Sequence, residues 1–295
     1  MFSIVTPLLP VILPVMLCAG LGIVWARTNQ PFDQEFVRRL VMWVGAPALI
    51  VGTFATVDVS LEQLRISAQA TLLLLFLSLL IAAVICLVFR FPARDFLVPL
   101  VFGNYGNMGL PLCLFAFGEP GLAIGLGIFV VTTLAHFSIG VAILNGPGAI
   151  GAVTRSPIVY AGVFAGLMVI CAWQLPKAAI NTLDILGGVT VPLMLITLGV
   201  SLSSLRPGGV AKALLLACLR LAVGLGAGLL TVHLLDLQGL MRKVILLQSA
   251  TPAAVFNYLL ALQYRRQPDA VAGMVLWSTL LSFFTIPLLL YFIGL

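Results

Sequence analysis

Side-chain amides and helix-breaking residues concentrate in two short stretches, residues 103–111 (GNYGNMGLP) and residues 248–253 (QSATPA). Each stretch interrupts an apolar run near its middle. Proline has no N–H to donate and its ring crowds the preceding turn, so Pro111 and Pro252 each predict a carbonyl oxygen, four residues earlier, that lacks its helical partner. Irregular backbone is tolerated within a bilayer only beside protein or a water-filled cavity. Two broken spans in corresponding halves indicate the midplane binding site of a transporter. The residues predicted to form the breaks are Gly106, Gly109, Pro111 and Pro252.

The amino-acid composition excludes a water-soluble fold. Hydrophobic residues make up 62% of the 295 residues and charged residues 8%, with a mean hydropathy of +1.20, whereas soluble domains are about 25% charged. We therefore expect an all-α polytopic membrane protein surrounded by the lipid bilayer. The formal charge of +6 comes from basic residues spread singly and in pairs among short loops, so we expect no nucleic-acid partner.

The cysteines give no sign of a metal or redox site. They lie inside apolar runs, without a C-x-x-C pair or neighbouring histidines. The five are Cys18, Cys86, Cys113, Cys171 and Cys218. We expect buried, reduced thiols, with neither a bound metal ion nor another cofactor.

Ten apolar segments approach the roughly 20 residues that a membrane-spanning helix needs. The predicted spans are residues 3–26, 36–57, 66–89, 95–117, 120–144, 156–174, 178–202, 211–234, 241–263 and 269–293. No basic residue precedes the first apolar run and Arg27 follows it, so we expect an uncleaved first helix. Ten of the fifteen basic residues fall on the side of Arg27. This bias places that side in the cytoplasm and both termini outside the cell inner membrane.

Two landmarks recur at nearly one offset and predict a duplicated chain. The sequence PALI at 47–50 is followed 145 residues later by PLML, and PGLA at 120–123 is followed 148 residues later by PDAV. Each half holds five crossings, an odd number, so the halves enter the membrane in opposite orientations. We expect two inverted five-helix repeats, residues 1–146 and 156–295, joined by a linker at 147–155 that is rich in turn formers. The broken fourth and ninth spans then cross at the midplane.

Taken together, these motifs resemble the auxin efflux carrier family, which contains the plant PIN proteins and bacterial relatives proposed to export malonate-like acids. The resemblance covers nearly the whole chain. Its motifs are 103–111, 187–192 leading to 198–199, 248–252, 263–264, 268–269 and 278–280. It implies a ten-helix fold similar to that of bile acid symporters, in which the first, second, sixth and seventh helices form a scaffold. It also implies a homodimer, and export of a small organic anion, such as malonate or an auxin-like acid, by elevator-type alternating access.

The resemblance implies that Asn104 contacts the substrate carboxylate beside the crossing. A neutral amide suits this place, because it donates a hydrogen bond without the desolvation cost of an ionised Lys or Arg. Asn107 lies one helical turn further on and is expected to line the same cavity. Gln248 and Asn257 are the amides nearest Pro252, and we expect them to contact substrate as well. The alternative is that these amides only hold helices together.

The sequence says least about energy coupling. The nine acidic residues all fall in loops or near helix ends, which disfavours a sodium/proton antiporter, because such a protein keeps paired carboxylates at the crossing. His136 and Asp184 are the candidates for proton handling, although a lone histidine is more often a packing residue. Arg220 either pairs with a substrate carboxylate or extends to the cytoplasmic boundary, and we expect the second.

Other classes of protein find less support. The chain has no H-E-x-x-H, G-x-S-x-G or phosphate-loop motif, so we expect it not to be an enzyme. A sodium- or proton-coupled organic anion symporter of the bile acid symporter type remains an alternative. A non-transporting membrane sensor or scaffold subunit is a second alternative, which would need an appended soluble domain.

Overall fold

A computed structural model describes residues 9–58, 60–145, 156–205 and 209–294, and nearly all of these residues are helical. The predicted linker at 147–155 lies outside the described residues. The helices of the first half are α1 (Leu9–Arg27), α2 (Gln34–Leu40, a π-helical turn Val41–Gly45 and Ala46–Thr56), α3 (Leu61–Val88), α4 (Ala93–Val101) and α5 (a π-helical turn Tyr105–Gly109, Leu110–Ala135, a second π-helical turn His136–Gly140 and Val141–Asn145). The helices of the second half are α6 (Pro157–Ile170), α7 (Lys177–Gly188), α8 (Thr190–Ser204), α9 (Val210–Leu234), α10 (Gly239–Ser249), α11 (Val255–Gln263) and α12 (Pro268–Phe292).

Seven helical segments of the described residues are long and apolar enough to cross a membrane: Pro10–Arg27, Gln34–Thr56, Leu61–Val88, Tyr105–Leu144, Lys177–Ser204, Val210–Leu234 and Pro268–Phe292. The predicted all-helical, multi-pass class is therefore confirmed. The predicted spans 95–117 and 120–144 share one of these segments, which is kinked at Gly118. The predicted span at 156–174 corresponds to the 14-residue α6, and 241–263 is divided between α10 and α11. The count of ten crossings thus remains a prediction.

Large apolar side chains cover the outer surface. The exposed fraction is 64% for Trp43, 79% for Leu87 and 79% for Phe284. A soluble monomer rarely presents so much contiguous apolar surface to water. Lipid is the solvent in which this surface is stable.

The predicted burial of all five cysteines is wrong for Cys171 and Cys218, which are exposed, whereas Cys86 and Cys113 are buried. An apolar run in a membrane protein faces lipid as well as protein, so an apolar setting does not imply burial.

The helices pack in two groups. α1 lies along α8, and α2 packs on α6 and α7, while α9 packs on α3 and α12 and α10 packs on α5. The first group depends on close backbone approach, because a Cβ at Gly199 of α8 would overlap the carbonyl group of Ala19 in α1. Small residues at such contacts are the usual device of helix association in membranes.

Candidate functional site

The two broken segments meet as a short antiparallel pair. The backbone N–H of Asn104 donates to the carbonyl oxygen of Pro252 at 2.7 Å, and that of Ala254 donates to Phe102 at 3.3 Å. Gly103 and Ala253 face each other between these two bonds. Backbone N–H and C=O groups that have no helical partner at the two breaks thus form hydrogen bonds with each other. This pairing needs no water, as the interior of a bilayer requires. The pair is called the crossover below.

The first helix break lies before the position that the sequence predicts. The helical backbone stops at Val101 and resumes at Tyr105, so Pro111 is not the break. Pro111 instead lies inside α5, directly after the π-helical turn Tyr105–Gly109 and in the α-helical part that begins at Leu110. The interruption is moved towards the amino end because residues 102–104 pair with the second broken segment.

The prediction of a free Gln248 carbonyl group is also wrong. Its oxygen accepts from the backbone N–H of Thr251 at 3.2 Å and from the Thr251 hydroxyl at 2.7 Å. Threonine often bonds to the carbonyl of a nearby turn in this way. The next backbone N–H, that of Ala253, donates to the Ser278 hydroxyl of α12 at 3.1 Å.

A cavity of about 380 Å³ extends from the crossover to the first turn of α2. Its deep wall includes Gly103 to Asn107 and the first residues of α11, and its mouth includes Glu35 and Arg38. The walls contain Thr132, Thr133, Thr197 and Ser201 together with apolar residues such as Met194 and Phe129. No local pattern in the sequence marks these threonines and Met194 as cavity residues, since α5 and α8 lie far apart along the chain. The deep part of the cavity contains no formal charge.

Asn104 holds an unused donor beside this cavity, whose wall the residue forms in part. Its side chain is 4% exposed, and its Nδ2 atom has no hydrogen-bond partner among the described residues. Leaving a buried amide donor unpaired is costly, so the group is suited to a ligand oxygen. Asn107 is partly exposed and lines the same cavity.

The other two predicted amides lie outside the cavity wall. Gln248 is fully buried against α5, where a Cβ at Gly109 would overlap its side-chain amide. Asn257 is 2% exposed, and its Nδ2 atom donates to the carbonyl oxygen of Phe102 at 2.8 Å. This hydrogen bond joins α11 to the first helix break. It corresponds to the alternative in which an amide in a membrane only holds helices together.

The two candidates for proton handling are separated. His136 lines the cavity, and its ring stacks on Phe102 with centroids 4.2 Å apart and planes 2° apart. Phe256 meets the same imidazole edge-on at 5.4 Å. Asp184 is exposed on α7 and does not line the cavity. No group of three or more His, Cys, Asp or Glu side chains in the described ranges could hold a metal ion.

Arg220 does not extend to the membrane boundary, so that interpretation is wrong. Its side chain is fully buried. One terminal nitrogen donates to the carbonyl oxygens of Leu100 and Val101, at 2.9 and 3.2 Å, and the other donates to that of Thr251 at 3.2 Å. Carbonyl groups at helix ends have no helical donor and attract cations. The prolines predict unpaired carbonyl groups at residues 107 and 248 instead, and nothing in the sequence connects the carbonyl groups of Leu100 and Val101 with an arginine some 120 residues away.

Comparisons with known proteins identify relatives that are described as transporters. Residues 152–290 match the family described as "Membrane transport protein". The chain is similar to an uncharacterized transporter of Methanothermobacter thermautotrophicus, with 30% identity over 192 residues, and to one of Methanocaldococcus jannaschii, with 27% identity over 199 residues. Each match covers 63% of this chain. The chain spans 63% and 64% of the lengths of these two relatives, respectively.

Proposed function

We propose that this chain is a membrane transporter of the auxin efflux carrier family, which its similarity to a membrane transport family and to two uncharacterized transporters supports, and that it carries a small organic anion, bound in the cavity beside the crossover. The observation that carries this proposal is the buried, unpartnered Nδ2 atom of Asn104 in the cavity wall. An unpaired donor at that depth favours a ligand that brings an oxygen acceptor. Catalysis plays no part in the proposed function.

The electrostatics of the cavity favour an anion. The amino-terminal turns of α5 and α11 both contribute residues to its deep wall, among them Tyr105 and Val255. Amino ends of helices carry partial positive charge and attract carboxylates. Arg38 at the mouth adds a full positive charge, partly balanced by Glu35. A cavity of about 380 Å³ lies within the usual range for small ligands and admits malonate or an auxin-like acid.

The proposed architecture has ten crossings in two inverted repeats, residues 1–146 and 156–295, with 147–155 between them. α1, α2, α6, α7 and α8 form the scaffold, and the other helices form the part that moves. The packing of α1 on α8 and of α2 on α6 and α7 supports this division. We place the protein in the cell inner membrane as a homodimer, with both termini outside. The cavity mouth near Arg38 then opens to the cytoplasm.

Export needs no coupling ion in this proposal. An inside-negative potential of 100 mV favours the exit of an anion by about 2.3 kcal/mol per charge. Proton coupling is the second candidate, since His136 lines the cavity with Thr132 and Thr133. A proton-coupled carrier responds to an imposed pH gradient at fixed voltage, whereas an uncoupled carrier responds to voltage alone.

The test is flux in proteoliposomes that contain the purified protein. Labelled malonate, succinate and indole-3-acetate are offered in turn, with imposed voltage, proton and sodium gradients. We expect wild type to move at least one of these acids, and Asn104→Ala to reduce the flux at least about tenfold, because a hydrogen bond to a charged group is lost. Asn181→Ala, an exposed asparagine of α7, is the matched control and should leave the flux unchanged. Equal flux through wild type and Asn104→Ala would remove the site assignment.

A further inference from the structure

A buried positive charge lies behind the crossover. Arg220 is fully buried in α9, donates three hydrogen bonds to backbone carbonyl oxygens and lies beside the Tyr105 hydroxyl group. The ion pairs of the described residues involve other arginines, namely Arg38, Arg39, Arg65 and Arg266. The charge of Arg220 is therefore balanced by main-chain dipoles and not by a carboxylate.

Those dipoles belong to the ends of two half-helices. Leu100 and Val101 form the end of α4, and Thr251 follows the end of α10. Carbonyl groups in the last turn of a helix carry its partial negative charge. Two such ends converge on one guanidinium group, whose planar fork of donors can bond both at once.

The cavity lies directly on the other side of this arrangement. A Cβ at Gly103 would overlap the Arg220 guanidinium group, so only the backbone of residue 103 separates the guanidinium from the cavity wall at that point. The next residue, Asn104, lines the cavity together with the first turns of α5 and α11. With the carboxyl ends of α4 and α10 neutralised, the positive amino ends of α5 and α11 act on the cavity without opposition.

We propose that Arg220 is a resident cation of the crossover, which replaces a bound metal ion and makes anion binding independent of Na⁺ and K⁺. Arg220 touches no substrate and acts as a positioning residue that sets the charge preference of the cavity. Its effect on transport rests on the proposed function, whereas its role at the helix ends does not.

Wild type provides the first arm of the test. The apparent melting temperature of the purified protein in detergent is measured in NaCl, KCl and choline chloride at equal ionic strength. We expect the same value in all three, because Arg220 already fills the place of a cation. A saturable stabilisation by Na⁺ or K⁺ that choline does not produce would overturn the proposal.

Variants provide the second arm. Arg220→Ala removes the donors of three buried carbonyl groups and should lower the melting temperature by about 10 °C. Guanidinium chloride at low millimolar concentration should recover part of this loss, and tetramethylammonium chloride should not. Arg242→Ala, an exposed arginine of α10, is the control and should match wild type with no response to guanidinium. An Arg220→Ala protein as stable as wild type, or one that guanidinium does not rescue, contradicts the proposal.

Arg220→Lys covers the case in which Arg220→Ala does not accumulate. Lysine keeps the positive charge but lacks the planar set of donors of the guanidinium group. We therefore expect a melting temperature between those of wild type and Arg220→Ala that is still independent of Na⁺ and K⁺. A sodium-dependent Arg220→Lys protein would count against the resident cation.

The third arm uses any acid that wild type transports in proteoliposomes. Arg220→Ala should reduce its flux at least about tenfold, which corresponds to about 1.4 kcal/mol, and guanidinium should restore part of the flux. Unchanged flux through Arg220→Ala would refute the effect on transport. If wild type carries none of the acids offered, the proposed function fails while the two stability arms still decide the role of Arg220.

Discussion

The backbone N–H of Asn104 donates to the carbonyl oxygen of Pro252 at 2.7 Å, and this bond joins the two broken segments of the chain. Because the donor belongs to the main chain, a change of the side chain at position 104 leaves the bond in place. Asn104 therefore supports the fold through its backbone N–H group, whereas its proposed contact with the ligand is made by its side chain. The two roles can be separated experimentally.

Asn104→Ala should lose ligand binding and keep the fold. We expect its melting temperature to lie within about 2 °C of wild type, since the Nδ2 atom that is removed has no hydrogen-bond partner among the described residues. A transported acid at about 100 times its dissociation constant should raise the melting temperature of wild type by about 8 °C, and that rise should largely disappear in the variant. Thermal denaturation with and without the acid measures both quantities. A variant that is strongly destabilised without ligand would assign Asn104 to the fold.

Asn257→Ala should show the opposite behaviour. It removes the 2.8 Å hydrogen bond from Nδ2 to the carbonyl oxygen of Phe102, which then keeps only the 3.3 Å bond from the backbone N–H of Ala254, at a cost of about 0.5–1.5 kcal/mol. We expect a melting temperature lowered by about 1–6 °C, with the same dissociation constant for the transported acid. Equilibrium binding and thermal denaturation of the same preparation provide the comparison. Weaker binding at unchanged stability would instead restore the substrate contact that the sequence suggests.

Gly109 is required because the Gln248 amide occupies the space that a side chain would need. Gly109→Ala should lower stability by about 1–3 kcal/mol through overpacking. The double variant Gly109→Ala/Gln248→Ala should recover much of this loss, because the amide that blocks the methyl group is gone. Gly226→Ala is the control, since its Cβ would meet nothing within 4 Å, and a helical alanine there should be neutral or slightly stabilising. Additive losses in the double variant would show that the two residues do not compete for space.

A feature of this site can be predicted from the sequence when the residues that form it lie close together along the chain, and not when they lie far apart. Interrupted apolar runs are local, so the class of protein and the neighbourhood of both breaks can be read from the chain. The spacing of Asn104 and Asn107 likewise predicts a shared face, and both line one cavity. The position of the first break could not be predicted locally, because residues 102–104 leave the helix to pair with a segment about 150 residues away. The same holds for the role of Arg220, since its acceptors come from two other segments of the chain.

Gln267 combines a strained backbone with a tertiary network. Its φ is +44°, while its side chain donates to Asp95 and accepts from Lys212, each at 2.9 Å. Gln267→Gly and Gln267→Ala lose the same two bonds, but only glycine relieves the left-handed backbone, which costs about 1–2 kcal/mol. We expect the glycine variant to melt about 3 °C higher than the alanine variant. Ala172→Gly, at φ +49°, should give a similar gain over wild type, and equal melting of the two Gln267 variants would argue against strain at that position.

Access to the cavity from one side of the membrane supplies the last prediction. Thr197 lines the cavity and is partly exposed, whereas Thr231 of α9 is fully buried and lies outside the lining. Cysteine is placed at each position in a chain whose exposed Cys171 and Cys218 are replaced by alanine. The cavity mouth adjoins the loop after α1, which the charge bias predicts to lie in the cytoplasm. A membrane-impermeant thiol reagent should therefore modify Thr197→Cys in inside-out vesicles, faster than in right-side-out vesicles, and it should not modify Thr231→Cys in either.

A transported acid should slow the modification of Thr197→Cys, because the ligand and the reagent compete for the same cavity. Protection by an anion that proteoliposomes do not transport would separate binding from translocation. Modification confined to right-side-out vesicles would reverse the proposed orientation. Modification at the same rate with and without every transported acid would place the substrate elsewhere. Since elevator-type alternating access requires the cavity to reach the other face as well, slow modification from outside that speeds up when acid is present only on the cytoplasmic side is the result that most directly supports movement of the crossover.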